Sequence, residues 1–492
     1  MSRLIGQFVL SPVNLYAPEG WLSDRVGRWW LRRHPALPAI RLRESGNGHV
    51  GWLLGYPISE EGKLLADQEE LRIPAGGIES STVLEDFIYT FGGRFAAIVL
   101  GPHLSRFYLD PCGSLSAVYC AHQEIVAATP TLIPADDRTQ ERQELANAIG
   151  IPHTNGMYPL GMTPRHGVER ILPNHYLDLT NYQMLRHWPK HPPSNGVSLA
   201  EAIAEITTTI KRNIAAVVAG TPTYFALTAG KDTRMLLACA RALQHRLELY
   251  TTQVPDGSAR TDCAVASRIA KKYGLNHRIL ASEDATPADL DEWMFCIGSS
   301  VGEVRGWKCA TMYKRLPGGH ARLMGNVGEV ARGFWWRSDD VETTVLSPLR
   351  LLAACRCPPH DEPLERTEAW LRTAPVANTL ELLDLFYIEQ RLGCWAGVWP
   401  YAECDSGFVV FPMCHRVVVE HMRGLPVPLR RSGALMETII AREWPELLEW
   451  PFNKPVGLQR IAAEIENMRG KVMVAVHNPR KVLQRLQSHL GG

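Results

Sequence analysis

The chain has 492 residues, enough for two or three domains, and its 52 basic residues nearly balance 51 acidic ones, leaving a formal charge of +1. That balance excludes a dedicated nucleic-acid binder, whose affinity would rest on a basic surface. Eleven cysteines without a CxxC pair exclude a disulfide framework, and the lack of a signal core or of an apolar run of about eighteen residues points to a soluble, cytoplasmic protein without membrane partners.

The first third reads as short strands. Residues 8–10, 49–56, 93–100, 106–109 and 125–128 are apolar or alternating runs bounded by Gly, Pro and Asp, with one helix from Ser81 to Tyr89. This spacing predicts an antiparallel, layered α+β domain over 1–135. Residues 136–195, rich in Pro, Asn and Gly, read as a connecting segment. From 196 onward helix and strand alternate: a helix over 200–218, strands at 224–227, 247–252 and 276–280, and helices after the first two strands. This βαβαβ rhythm predicts a parallel sheet with a nucleotide at its strand C-termini. From about 381 helices dominate, and the basic amphipathic stretch Leu458–Leu490 is expected to pack or oligomerise, in a homodimer or against a pathway partner, rather than bind membrane.

The most telling stretch is Tyr224-Phe-Ala-Leu-Thr-Ala-Gly-Lys-Asp-Thr233, where a strand runs into a small-residue turn and then a helix. A turn of Thr228, Ala229 and Gly230 is expected to leave its N–H groups uncovered, while the positive end of the helix faces the same spot, as suits a phosphate. Asp232 in such a site makes sense if it holds Mg²⁺. Gly230-Lys231 is followed by Asp where a Walker A loop needs Ser or Thr, so this is a different phosphate loop.

This stretch resembles the Ser-Gly-Gly-x-Asp-Ser signature of the N-type ATP pyrophosphatases (PP-loop enzymes), the loop that asparagine synthetases and β-lactam synthetases use on ATP. Thr228, Ala229 and Thr233 are the departures from it. Further segments resemble that asparagine synthetase-like family in the same order. Phe91–Ile98 with Leu109–Tyr119 resembles its glutaminase-type (Ntn) domain, and Gly167–Leu179 the segment before its synthetase domain. Leu323-Met-Gly-Asn-Val-Gly-Glu-Val-Ala-Arg-Gly-Phe-Trp335 resembles its Gly-rich segment with an acidic metal ligand, and Trp450-Pro-Phe-Asn-Lys-Pro-Val-Gly457 its late lysine loop.

The resemblance implies an N-terminal glutaminase-like domain and a PP-loop ATP pyrophosphatase domain with a helical C-terminal part. ATP and pyrophosphate fall to Leu227, Thr228, Ala229, Gly230, Lys231, Asp232 and Thr233, with Thr251 on the next strand. Mg²⁺ falls to Asp232 and Glu329. Lys454 would stabilise charge on the α-phosphate and the tetrahedral intermediate, inside walls formed by Trp450, Pro451, Phe452 and Pro455. Asn326 would face the second substrate, while Asp262 suits either the family's second helix or simple capping of its own helix. Arg391 stands where the family has an Asp-Arg pair whose acid is here Gln390. The family's glutaminases begin Met-Cys, whereas this chain begins Met1-Ser2 and lacks the glutamine-holding segments, so no glutaminase activity is expected.

The implied activity is an ATP-dependent amide ligase that joins a small-molecule or peptide carboxylate to an amine, with ATP and Mg²⁺ as cofactors. Two alternatives stay open: a PP-loop enzyme of other chemistry, and a degenerate synthetase that serves as a binding or regulatory subunit.

Overall fold

Apolar runs along the early strands build two sheets, seen in a computed structural model that describes residues 4–454 except 16, 45–47, 192–197, 255–256, 283–284, 303–305, 307–311, 313–315 and 405–406. In chain order the strands are β1 (Phe8–Ser11), β2 (Leu22–Val26), β3 (Trp29–Arg33), β4 (Ala39–Glu44), β5 (His49–Ile58), β6 (Glu70–Ile73), β7 (Gly92–Leu100), β8 (Ser105–Leu109), β9 (Val118–Cys120), β10 (Ile125–Ala127), β11 (Glu169–Arg170), β12 (His175–Asp178) and β13 (Gln183–Arg186). One sheet is antiparallel, in the order β11-β9-β10-β1-β3-β2; the other is mixed, β13-β12-β8-β7-β5-β4-β6, with β4 and β6 parallel. Phe8 and Leu10 of the first sheet share a core with Trp52, Leu54, Ile98 and Phe107 of the second, and the Phe8 and Phe107 rings stack at 5.9 Å. Helix α1 (Ser81–Ile88) closes the far face of the mixed sheet through Leu84 and Ile88. Strand β5 is therefore buried on both faces, which explains its unbroken apolar run.

The stretch read as a connector does more than connect. Besides a short helix α2 (Gln143–Ile149), it supplies β11, β12 and β13, and β12 pairs with β8 through Tyr176 opposite Tyr108. Asn174 and Tyr182 take positive φ at the turns on either side of β12, a strand of four residues that is too short to show a period.

Helix α3 (Leu199–Gly220) starts with a capping box of Ser198 and Glu201. It leads into a five-stranded sheet of β14 (Thr223–Ala226), β15 (Leu247–Gln253), β16 (His277–Ala281), β17 (His320–Leu323) and β18 (Gly407–Val410), with helices α4 (Lys231–Cys239) and α5 (Arg260–Tyr273) after its first two strands. All its pairings are parallel and its order is β16-β15-β14-β17-β18. The molecule is thus α/β, with antiparallel and mixed sheets followed by a parallel sheet and helices. Within the helix-dominated part after 381, β18 forms an edge of the parallel sheet, its four residues too few to carry a sequence period. No helix among the described residues is long and apolar enough to cross a membrane. Ser2, Pro455 and the stretch Leu458–Leu490 lie outside the described residues.

Tyr56 of β5 and Phe408 of β18 stack at 3.8 Å, joining the mixed sheet to the parallel one. That contact depends on how β18 begins. Gly407 has φ +126°, and a Cβ there would lie 1.7 Å from the His320 carbonyl oxygen. Gly407→Ala is expected to lower stability by about 2 kcal/mol or more, read from the urea midpoint.

Candidate functional site

In a parallel sheet with this order the chain reverses direction between β14 and β17, and the loops leaving those two strands diverge to form a crevice. Both sequence segments singled out for chemistry leave the sheet there. The loop after β14 leads to Gly230, the N-cap of α4, which offers no capping side chain, so the positive end of α4 lacks a side-chain cap. The loop after β17 lies directly on the first turn of α4. A Cβ on Gly325 would sit 3.1 Å from Thr233 Cγ2, and one on Gly328 would sit 2.4 Å from Asp232 Oδ1. These glycines are required for the close approach, not for a turn.

That approach brings Asp232 and Glu329 together around one guanidinium. Arg332 Nη2 donates to Asp232 Oδ2 at 3.0 Å and lies 3.6 Å from Glu329 Oε1. Asp232 Oδ1 and Glu329 Oε2 are both buried without a hydrogen-bond partner. Burial first, and the Glu329 charge second, raise the Asp232 carboxyl above the ordinary carboxylate range against the opposing pull of Arg332. Among the described residues no group of three or more His, Cys, Asp or Glu could hold a metal. Two carboxylates with spare oxygens nonetheless fit Mg²⁺, which takes one or two carboxylates and completes its shell with phosphates and water.

The loop is held from behind. Buried Arg430 donates to the Val330 carbonyl at 2.6 Å and to Asp384 Oδ1 at 2.7 Å. Val327, fully buried, has φ +84° and ψ −31°, a β-branched residue in a conformation that costs about 1–3 kcal/mol. Such strain concentrates where a loop is fixed for a purpose.

Several expectations change at this site. The N–H groups of the turn are not uncovered: Thr228 donates to Thr233 Oγ1, Ala229 to Asp262 Oδ1 at 2.9 Å, and Gly230 to Thr228 Oγ1. Small hydroxyl side chains two to five residues away close the turn on itself. The Leu227 and Ala229 side chains are buried in the core. Thr251 donates its hydroxyl to the Leu227 carbonyl at 2.7 Å and meets His277 Nε2 at 2.9 Å, so it props the loop instead of facing a ligand. Lys231 turns away to pair with Glu437 at 2.5 Å. Asn326 is half-buried at the tip of the β17 loop. Gln390, in place of the acid, accepts from the Leu160 N–H, while Arg391 stacks over Trp395.

The segment before Lys454 does reach the loop. Buried Arg234 donates to the carbonyls of Ala229, Trp450 and Pro451 and packs over the Phe452 ring, and the Asn453 N–H donates to the Ala229 carbonyl at 3.0 Å. Lys454 itself is exposed, not walled by its aromatic neighbours as expected. Those aromatics are engaged by Arg234 instead. Arg332, Arg234 and Arg430 were not legible as site residues, because arginines in helical stretches read as solvated charges. Only the position of Arg332 three residues after Glu329 offered a signal.

No protein-family model matches the chain, and no curated protein matches its sequence.

The raised Asp232 carboxyl sets a pH dependence. Below the ordinary carboxylate pKa both folded and unfolded chains hold the proton; above it the unfolded chain ionises first, so the buried carboxylate costs stability as pH rises. Asp232→Asn is expected to raise the thermal midpoint at about pH 8, with the gain vanishing towards about pH 4. Equal midpoints at both would contradict the raised carboxyl.

Proposed function

We propose that this chain is an ATP-dependent, AMP- and pyrophosphate-forming amide ligase of the asparagine synthetase type, with a PP-loop domain and a glutaminase-like N-terminal domain that does not release ammonia. The observation that carries this reading is the pair of spare carboxylate oxygens on Asp232 and Glu329, beside a helix N-terminus where the parallel sheet reverses. Asp232 and Glu329 would hold Mg²⁺, which supplies charge stabilisation for departing pyrophosphate. The uncapped start of α4 faces the phosphates. A substrate carboxylate displaces pyrophosphate from the α-phosphate, and an amine then displaces AMP, turning oxide, a poor leaving group, into AMP. Arg332, which bridges the two carboxylates, is free to shift to a phosphate once a cation takes its place. The cytoplasm is the compartment this chemistry suits.

A second reading, a degenerate homologue that binds without turnover, is favoured by the internal use of the N–H groups of Thr228, Ala229 and Gly230 and by the exposure of Lys454.

Incubation with MgATP, hydroxylamine and pools of small carboxylates and peptides separates the two: the ligase releases AMP and pyrophosphate, whereas the binding protein releases neither. Asp232→Ala and Glu329→Ala are each expected to abolish AMP release with unchanged circular dichroism. Lys454→Ala is expected to lower turnover about a hundredfold, as loss of a donor to a developing oxyanion does. Lys454→Arg should not rescue it, because a planar guanidinium does not replace a compact ammonium. Unchanged turnover in Lys454→Ala would remove the lysine from the mechanism.

A further inference from the structure

A cavity of about 530 Å³ opens between α1, the residues following β13 and the helix Arg416–Gly424. It shares no residue with the site above. Its inner wall carries Arg416, 6% exposed, and Arg423, 4% exposed. Trp188 lies between them, 4.1 Å from the guanidinium of Arg416 and 4.6 Å from that of Arg423, and Tyr89 lies 4.3 Å from Arg416.

Two buried arginines face acids, Arg430 with Asp384 and Arg322 with Glu403, while buried Arg94, Arg170 and Arg234 rest on carbonyls or a hydroxyl away from this cavity. Arg416 forms no ion pair among the described residues. Its Nη1 donates to the neutral Asn174 Oδ1 at 3.1 Å, and its Nε and Nη2 have no acceptor among the described residues. Arg423 also has Nε and Nη2 without an acceptor, with Glu381 3.7 Å away. The cavity's own acids are engaged elsewhere or lie at the rim. Glu85 pairs with Lys190 at 2.8 Å, Glu420 accepts from Trp188 Nε1 at 2.9 Å, and Glu60 and Asp86 are exposed. A buried cation without a counter-charge is costly, and a guanidinium fork held flat by two aromatic rings presents its donors to a planar oxyanion.

We propose that this cavity is a second ligand site, for a metabolite-sized molecule that presents a carboxylate or phosphate to Arg416. Its volume falls in the range of small-molecule sites, about 300–1,000 Å³. The exposed Glu60, Asp86 and Glu420 at the rim repel a polyanion, so the outer part of the ligand is neutral or cationic. The surrounding field agrees: burial lowers the pKa of His187 and His415, and the nearby arginines lower both further. This inference stands independently of the ligase reading.

Calorimetry on the full chain with benzoate and with phenyl phosphate tests it. Saturable binding of either is expected, weakened about tenfold or more in Arg416→Gln, and the tighter probe assigns carboxylate or phosphate. Crystals of the wild type soaked in 4-bromobenzoate give a second readout that no folding defect can confuse, with the bromine expected inside the cavity and the carboxylate on Arg416. Failure of both probes to bind, binding unchanged in a folded Arg416→Gln, or bromine found only elsewhere would each overturn the proposal.

Discussion

Two carboxylates that repel each other, Asp232 and Glu329, are held around one guanidinium in a half-buried place, and several elements of the parallel-sheet half keep them there. Left alone they would separate or take up protons, and burial does push the Asp232 carboxyl up. Arg332 offsets the repulsion by touching both. Gly328 permits the approach, because a side chain there would occupy the space of the Asp232 carboxylate. Arg430, paired with Asp384 in the core, fixes the loop from behind, and Val327 holds a strained backbone conformation within it. A cation in place of the Arg332 guanidinium would relieve the same repulsion.

Buried guanidiniums recur as the device that joins distant segments. Arg234 ties the start of α4 to the carbonyls of residues 450 and 451, and Arg186 and Trp370 together satisfy Glu389 within the helix Tyr387–Ala396. Each of these guanidiniums finds acceptors for several of its donors, as a buried charge must. Arg416 is the contrast, lining a cavity with two unfilled donors and no ion pair among the described residues. In one protein the same side chain thus serves as a structural tie where its acceptors are internal, and marks a candidate binding place where they are not.

Among the described residues, those that touch Asp232 and Glu329 come from outside the N-terminal sheets. The role of those sheets is to be docked on: β5 stacks Tyr56 on Phe408 of β18, and Asp110 in the turn after β8 accepts the Cys414 thiol just before the helix Arg416–Gly424. Their packing thereby helps set the edge of the parallel sheet and the position of Arg416.

The sequence by itself determined the long, strongly patterned elements. The apolar runs of β5 and β7, the capped helix α3 and the strand–turn–helix around Gly230 were legible because local period and turn chemistry agree there. Asp232 stood out by its place after the small-residue turn, and Glu329 by the resemblance of its glycine-rich segment to a known family. Tertiary structure decided what lies far apart in the chain or is too short to carry a period. β12 and β18 are strands because β8 and β17 offer edges to pair with, and β13 adds in turn to β12. The N–H groups of the turn are taken by Asp262 and two threonines, Lys231 goes to Glu437, and Thr251 props a carbonyl, all because a neighbouring element supplied a partner. Arg332 joins the carboxylates across about a hundred residues of sequence for the same reason, since a hydrogen bond depends on distance in space, which one-dimensional spacing does not encode.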